Sequence, residues 1–370
     1  MNDLPAPAPS IAALPPSRPF VAPEELARRV GRGELVRLGA NESAFGPPPA
    51  ALEAMRAAVA QNSWYGDPEA AELREALAAR HRCGIENVSV GAGIDDLLGL
   101  VVRGYLAPGD VSVATTGSYP TYTYHVRGYA AREENVPYRD DGSIRLEELA
   151  ARAHATRAKV VYLANPDNPS GAFAGRDAVA RFAAALPQDS LLVLDEAYGD
   201  FVAPDELLPE TIDPRIVRMR TFSKAYGLAG ARIAYALSSP EVKATFDKIR
   251  LQYGVARTAQ IGALAALRET DFVRGVVLEV ERGREEYVAL AARHGLRTLP
   301  SRTNFVCFDL GSRERAEAMV EALLQRGIFV RKPGAPPLDG HIRVTVGNAE
   351  QRARFAATLV EALADVALPA

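Results

Sequence analysis

The chain has 370 residues, 48% hydrophobic and 24% charged, with a net charge of −3, a globular composition with length for one large domain or two. It lacks the basic excess of a nucleic-acid binder and any apolar run long enough to span a bilayer, so neither partner is expected. Two distant cysteines, Cys83 and Cys307, and five scattered histidines give no disulfide framework and no metal-type spacing, so no metal is expected and a cytoplasmic location follows.

Residues 1–20 are rich in Pro and Ala, which block regular structure, and read as a draped arm without the regions of a signal peptide. Residues 23–30 read as a short helix with Pro in its first turn. Asn41 follows in a loop of turn formers, Leu38 to Pro47, and alone fits a plain turn residue. Residues 49–59 and 69–82 read as helices on either side of the turn Trp64-Tyr65-Gly66-Asp67-Pro68. A strand at 88–90 meets Gly91-Ala92-Gly93-Ile94-Asp95-Asp96, after which a helix runs to about Tyr105. Strand, glycines and helix aim backbone N–H groups and a helix dipole at an anion, here through Gly93, Ile94 and Asp95. A dinucleotide fingerprint wants a third glycine where Asp96 stands, so that reading weakens.

A strand at 111–114 precedes Tyr119-Pro120-Thr121-Tyr122-Thr123-Tyr124, where Tyr122 and Tyr124, two apart, suit one face of a strand. A helix at 145–155 and an apolar strand at 159–163 lead into Asn165-Pro166-Asp167-Asn168-Pro169-Ser170-Gly171, a rigid loop in which each Asn is held extended by the next Pro. After a helix at 178–185, the buried strand 191–194 ends in Asp195-Glu196-Ala197-Tyr198. A carboxylate at the end of a buried parallel strand is either a binding-crevice residue or a helix cap. A further strand, with Ile216, Val217 and Met219, enters the stretch from Arg220 to Arg232, with Thr221, Ser223, Lys224, Gly227 and Gly230 between them. Two hydroxyls and a guanidinium around one amine suit a phosphate-bearing carbonyl cofactor, with Lys224 as the Schiff-base amine. Taken alone, the stretch fits a surface loop with a solvated lysine equally well. From about Asp271 the register changes: a helix at 272–294, a strand at 304–309, a helix at 313–326, strands at 328–331 and 341–346 and a last helix make an α+β unit. Arg331 and Arg343 stand on its strands.

Ser223-Lys224 with Ala229-Gly230 and Arg232, the Asn165–Gly171 string, and Asp195 with Tyr198 together resemble the fold-type-I, class I/II aminotransferases that use pyridoxal phosphate, in particular their histidinol-phosphate aminotransferase-like branch. The resemblance runs from about Asn41 to Gly347, with Gly66 where Pro often stands, Asp96 for Glu and Ser170 for Thr. It implies an α/β fold: a large domain over 41–270 with a mostly parallel sheet, a smaller α+β domain over 271–370, and an arm, 1–40, packing with the small domain. It implies that Lys224 carries the cofactor and moves the proton, while Gly93, Ile94, Asp95, Thr221, Ser223 and Arg232 hold the phosphate. Tyr122 would stack on the ring, a contact that contributes about 0.5–1.5 kcal/mol beyond area burial. Asp195 would meet the ring nitrogen, and Asn168 and Tyr198 the phenolic oxygen. Tyr65 would reach the cofactor phosphate of a second subunit, which implies a homodimer. Asn41, Arg331 and Arg343 would bind the substrate anion, a guanidinium fork gripping a carboxylate through two parallel bonds. The implied reaction moves an amino group from an amino acid or amine to a 2-oxo acid. The donor stays open between histidinol phosphate and an aromatic or aliphatic amino acid, and a lyase or decarboxylase on the same fold is the alternative.

Overall fold

A computed structural model describes residues 5–15 and 21–366, and a seven-stranded sheet runs through its centre. In spatial order the strands are Val88–Gly91, Ala234–Leu237, Ile216–Thr221, Leu191–Asp195, Val160–Ala164, Val111–Thr115 and Arg132–Val136. Each neighbouring pair from Ile216–Thr221 to Arg132–Val136 is parallel, and Ala234–Leu237 runs against both of its neighbours. Every residue of Val160–Ala164 and Leu191–Asp195 is buried, as the unbroken apolar runs predict for strands covered on both sides. Side-chain alternation sorts these strands between two cores. Val161, Leu163, Leu192 and Leu194 enter one, and Val160, Tyr162, Ala164, Leu191 and Val193 the other. Asp195 continues the second set, so its carboxylate leaves the sheet on the Tyr162 face, at the C-terminal end of the strands.

Glu196, one residue on, turns to the opposite side. It is buried between Arg218, at 2.9 Å, and Arg220, at 3.2 Å. Burial opposes its ionisation, but the two guanidiniums win and hold its carboxyl below the usual range.

Two strands of this central sheet escaped the sequence reading. Arg132–Val136 carries three charges in five residues, which an edge strand with one neighbour tolerates. Ala234–Leu237 follows so closely on the Lys224 loop that no separate pattern marks it. The tyrosine-rich segment is a helix, Pro120–Gly128, and not a strand, because Pro120 takes the first helical position, where its missing N–H costs nothing.

The C-terminal third holds an antiparallel sheet, in the order His341–Thr345, Phe305–Asp309, Arg297–Thr298, packed against the helices Thr270–Arg293, Arg313–Gln325 and Ala349–Asp365. Tyr287, Phe308 and Phe355 meet edge to face there, with centroids 5.2–5.8 Å apart. Ile328–Phe329 does not join that sheet. It pairs in parallel with Val36–Arg37 from the N-terminal segment.

That segment divides. Residues 1–4 and 16–20 of the expected arm lie outside the described residues. Between them Pro9–Ala12 forms one helical turn on the helix Pro120–Gly128, so this part packs beside the large sheet. The later part, through Val36–Arg37, joins the C-terminal third.

Candidate active site

A cavity of about 1170 Å³ opens at the C-terminal ends of the parallel strands, between the large sheet and the C-terminal third. That exceeds the usual room for one small ligand and suits a cofactor with a substrate beside it. Lys224, Asp195, Tyr198, Asn168, Arg331 and Arg343 all line it.

Lys224 follows the strand Ile216–Thr221 by three residues. The loop is pinned at both ends. Ser223 N donates to Thr221 Oγ1 at 3.1 Å, and Thr221 Oγ1 donates to Ser223 Oγ at 2.9 Å. At Gly227, φ is +67°, and a Cβ would fall 2.1 Å from the Gly46 carbonyl oxygen, so only glycine fits. Lys224 Nζ donates to the main-chain carbonyl of Asn41 at 3.1 Å. Burial, then the Arg343 charge, pulls the amine down to about 8, within reach of the neutral form that a nucleophile needs.

Asp195 is fixed on both oxygens: Tyr162 Oη donates to Oδ2 at 2.8 Å and Ala197 N to Oδ1 at 3.0 Å. Burial pushes its carboxyl up to about 6, a cost that a cationic ligand at this carboxylate would reverse. Tyr198 accepts from Asn41 Nδ2 at 2.8 Å, and burial raises its phenol to about 12. Arg343 reaches across from the C-terminal third, donating from Nη1 to Asn168 Oδ1 and from Nη2 to Gly39 O at 3.0 Å. Its Nε is buried with no hydrogen-bond partner among the described residues. Arg331 lies alongside: the two arginines form an isolated antiparallel bridge, Arg343 N donating to Arg331 O at 2.6 Å. Burial, then Arg343, lowers the Arg331 pKa.

The anion end of the cavity is built from the helix Ile94–Tyr105, whose first-turn amides at Ile94 and Asp95 have no partner within the helix. Gly93, at φ +92°, leaves space that a Cβ would take from Arg232 Nη2, only 2.3 Å away. Arg232 Nη2 in turn donates to Asp95 Oδ2 at 3.3 Å. Asp96 serves the turn itself, accepting from Ala92 N at 3.0 Å. Guanidinium, two hydroxyls and a helix N-terminus around one amine fit a phosphate-bearing aldehyde, and the orphaned Arg343 Nε fits a second anion.

Two expected site residues, Tyr122 and Tyr65, stand outside this chain's cavity. Tyr122 does not reach the cavity. It is 1% exposed, bonded to Ser112 Oγ and stacked on Tyr162 at 4.6 Å beneath the floor. Its helical position, three residues on from Tyr119, turns it inward. Tyr119 instead lines the cavity and donates to Asp95 Oδ1 at 2.8 Å. Asn41 does line the cavity, but its side chain is committed to the protein, with Oδ1 accepting from Thr345 Oγ1 at 3.2 Å and Nδ2 donating to Tyr198. Tyr65 is 76% exposed, stacked on Tyr253 at 4.4 Å and outside this chain's cavity. The sequence reading also missed Tyr162 and Asn304; the one lay inside an apolar run, the other had no pattern around it. Among the described residues no group of three His, Cys, Asp or Glu is arranged to hold a metal ion, and no helix is long and apolar enough to cross a membrane.

A buried lysine after one strand, a buried carboxylate ending the next and an arginine facing both across a cleft suit the class that the family match shows, a pyridoxal-phosphate-dependent transaminase. The chain belongs to the aminotransferase class I and II family, whose model matches residues 33–359. It is similar to histidinol-phosphate aminotransferase 2 of Pseudomonas fluorescens, 34% identical with 96% of this chain and 97% of that protein covered, and to its counterpart in Pseudomonas aeruginosa, 36% identical over the same shares. Among solved structures, the histidinol-phosphate aminotransferase of Sinorhizobium meliloti in complex with pyridoxal-5'-phosphate matches with a TM-score of 0.95 at 43% identity, covering 99% of this chain and 100% of that one. An aspartate aminotransferase of Thermus thermophilus matches with a TM-score of 0.81 at 26% identity, covering 98% and 100%. The fold is therefore fold-type I, as the sequence implied.

Proposed function

We propose that this transaminase takes histidinol phosphate as amino donor and returns the amino group to a 2-oxo acid. The observation that carries the choice of donor is the bridged pair Arg331 and Arg343. Two cations side by side in a half-buried cleft repel each other, and a dianionic phosphate relieves both where a single carboxylate suits one. The names of the relatives at 34–36% identity support the same reading.

Bound pyridoxal phosphate would supply an electron-accepting ring that stabilises negative charge at the donor's α-carbon. The residues suited to hold it are Asp195 at the ring nitrogen, Asn168 and Tyr198 at the phenolic oxygen, and Thr221, Ser223, Arg232 and the amides of Ile94 and Asp95 at the phosphate. Tyr119 replaces Tyr122 as the stacking aromatic in this reading. Lys224, its amine pulled down to about 8, would take the proton from the donor's α-carbon and later return a proton across the cofactor. Asn168, held by Arg343, links the residues suited to the phenolic oxygen with those suited to the substrate anion.

The same proposal makes the enzyme a homodimer. Trp64, Tyr65, Leu251 and Tyr253 are 54–76% exposed, an aromatic patch more suited to burial than to water. Tyr65 then serves the partner's phosphate site. The division into a large domain at 41–270 and a small one from 271, with Arg343 bringing the small one to the cofactor, belongs to this reading. So does a cytoplasmic location, with which the two free cysteines agree.

Half-reactions followed by cofactor absorbance test the donor. Histidinol phosphate is expected to convert the cofactor at least tenfold faster than phenylalanine or tyrosine, and Arg331→Lys to erase that preference. Equal or faster conversion by the aromatic amino acids would overturn the choice of donor, leaving the transaminase standing.

A further inference from the structure

Asn304 stands at the entry to the strand Phe305–Asp309 and is 2% exposed. Its Nδ2 donates to the main-chain carbonyl of Asn41 at 3.0 Å, and that same carbonyl receives the Lys224 amine at 3.1 Å. A carbonyl oxygen has two lone pairs, so here one goes to each donor. Nothing else about this carbonyl is loose. Asn41 sits at φ +54°, a left-handed conformation that asparagine tolerates, and its own N–H donates to Thr345 Oγ1 at 3.0 Å while its side chain is held by Thr345 and Tyr198. Asn304 is anchored in turn, its main-chain oxygen accepting from Val346 N at 2.8 Å. Its carboxamide oxygen, by contrast, is buried with no partner among the described residues. A buried amide with one end unmatched costs stability that an apolar residue would spare, so what this position gains from asparagine is the donor at the other end.

We propose that Asn304 is a positioning residue for Lys224, acting through the Asn41 carbonyl that both donors share. The inference rests on the reading of Lys224 as the cofactor-bearing amine. Asn304 fixes the carbonyl's direction, so the amine is held against the cavity wall at a set place. It also competes for the oxygen. An acceptor shared with a second N–H stabilises an ammonium less than one wholly available, so Asn304 works in the same direction as burial and Arg343, toward the neutral amine.

The test uses Asn304→Ala, which removes the donor, and Asn304→Asp, which keeps the shape but replaces the donor with an acceptor. In cofactor-free protein, trace labelling with acetic anhydride across pH 6–11, read by mass spectrometry, reports each lysine's titration. The labelling midpoint of Lys224 is expected to rise in both variants, more in Asp, cutting its labelling at pH 7.5 by up to about threefold for each half unit of rise. Lys243 and Lys248 serve as references and should not move. In the holoenzyme, the rising limb of kcat against pH should shift upward while KM for the donor stays near wild type. An unchanged Lys224 profile in folded variants overturns the proposal, even if their melting points fall, because a purely structural asparagine predicts that combination. Should neither variant fold, Asn304→Ser, whose hydroxyl is too short to reach the carbonyl, is read the same way. Failure of all three to fold makes the residue structural and ends the proposal. A different failure marks the underlying reading: borohydride reduction of wild-type holoenzyme that labels a lysine other than Lys224 strikes the assignment of Lys224 itself.

Discussion

Replacing Asp195 by Asn separates catalysis from stability. In the cofactor-free protein this carboxyl is buried and its pKa is raised from the ordinary 3.8 to about 6. Below pH 4 it is protonated whether the chain is folded or not, and it costs nothing. As pH rises from 4 to 6 the unfolded chain's carboxyl ionises first, so folding stability falls. Above pH 6 the full cost stands, about 3 kcal/mol from two pH units at about 1.36 kcal/mol each. An amide carries no such charge. Its oxygen can keep the Ala197 N–H, now at 3.0 Å, and Tyr162 Oη can turn from donor to acceptor, so the hydrogen bonds survive. Cofactor-free Asp195→Asn should therefore gain on wild type between pH 4 and pH 7.5, by up to about 3 kcal/mol. Urea unfolding at the two pH values measures this gain. In the proposed site the same change removes the anion assigned to the cofactor's ring nitrogen. A hydrogen bond between charged partners contributes about 1.5–3 kcal/mol, so turnover should fall by about one to two decades. An Asn variant with near wild-type kcat, or one whose stability difference is the same at both pH values, would refute the reasoning. The first outcome would make Asp195 a cap, since asparagine caps as well as aspartate.

Lys224→Ala should abolish turnover and the lysine-linked cofactor absorbance, and borohydride followed by peptide mapping should label Lys224 in wild type; label on Lys243 or Lys248 would sink the assignment. Arg343→Lys breaks the contacts to Asn168 and Gly39 as well as the anion fork, and kcat/KM for the donor should drop by about one to two decades with cofactor still bound, as steady-state kinetics will show. Tyr119→Leu should weaken cofactor retention on dialysis more than Tyr122→Leu does, whereas the opposite order would restore Tyr122 as the stacking ring. Gly227→Ala forces a Cβ into the Gly46 carbonyl and should cost at least about 1 kcal/mol in urea unfolding, since the backbone there is also left-handed.

Much of the site was legible because its chemistry is local. Lys224 with its hydroxyls, Asp195 at the end of an apolar run and Asn168 between two prolines each depend on a few adjacent residues, and strand ends deliver them to one cavity. Tyr119 and Tyr122 were confused because the choice hangs on where the helix begins: both are aromatics beside Pro120, and only the helical turn decides which faces the cavity. Asn41 was legible as a site residue, yet its partners Tyr198, Thr345 and Asn304 come from other parts of the chain, and no local pattern announces them. The edge strand Arg132–Val136 was lost for a related reason, since an edge needs no apolar run.

The hub at Asn41 also constrains how the protein is made. Asn41 and Thr345 are 304 residues apart, and Asn41 and Asn304 are 263 apart. The Val36–Arg37 strand likewise waits for Ile328–Phe329. A ribosome releasing the chain from its N-terminus delivers the Asn41 loop first and its last partners near the end. The central sheet, whose strands span 88–237, has every element it needs much earlier. During synthesis the sheet can therefore close with Lys224 and Asp195 already in place, while the carbonyl that receives the lysine amine remains unanchored. Because closing so long a loop costs entropy before any contact repays it, the final docking of the N-terminal segment should be the slow step. The wall beside the lysine amine is thus the last part of the cavity to gain its anchors, Asn304 and Thr345, as the chain emerges.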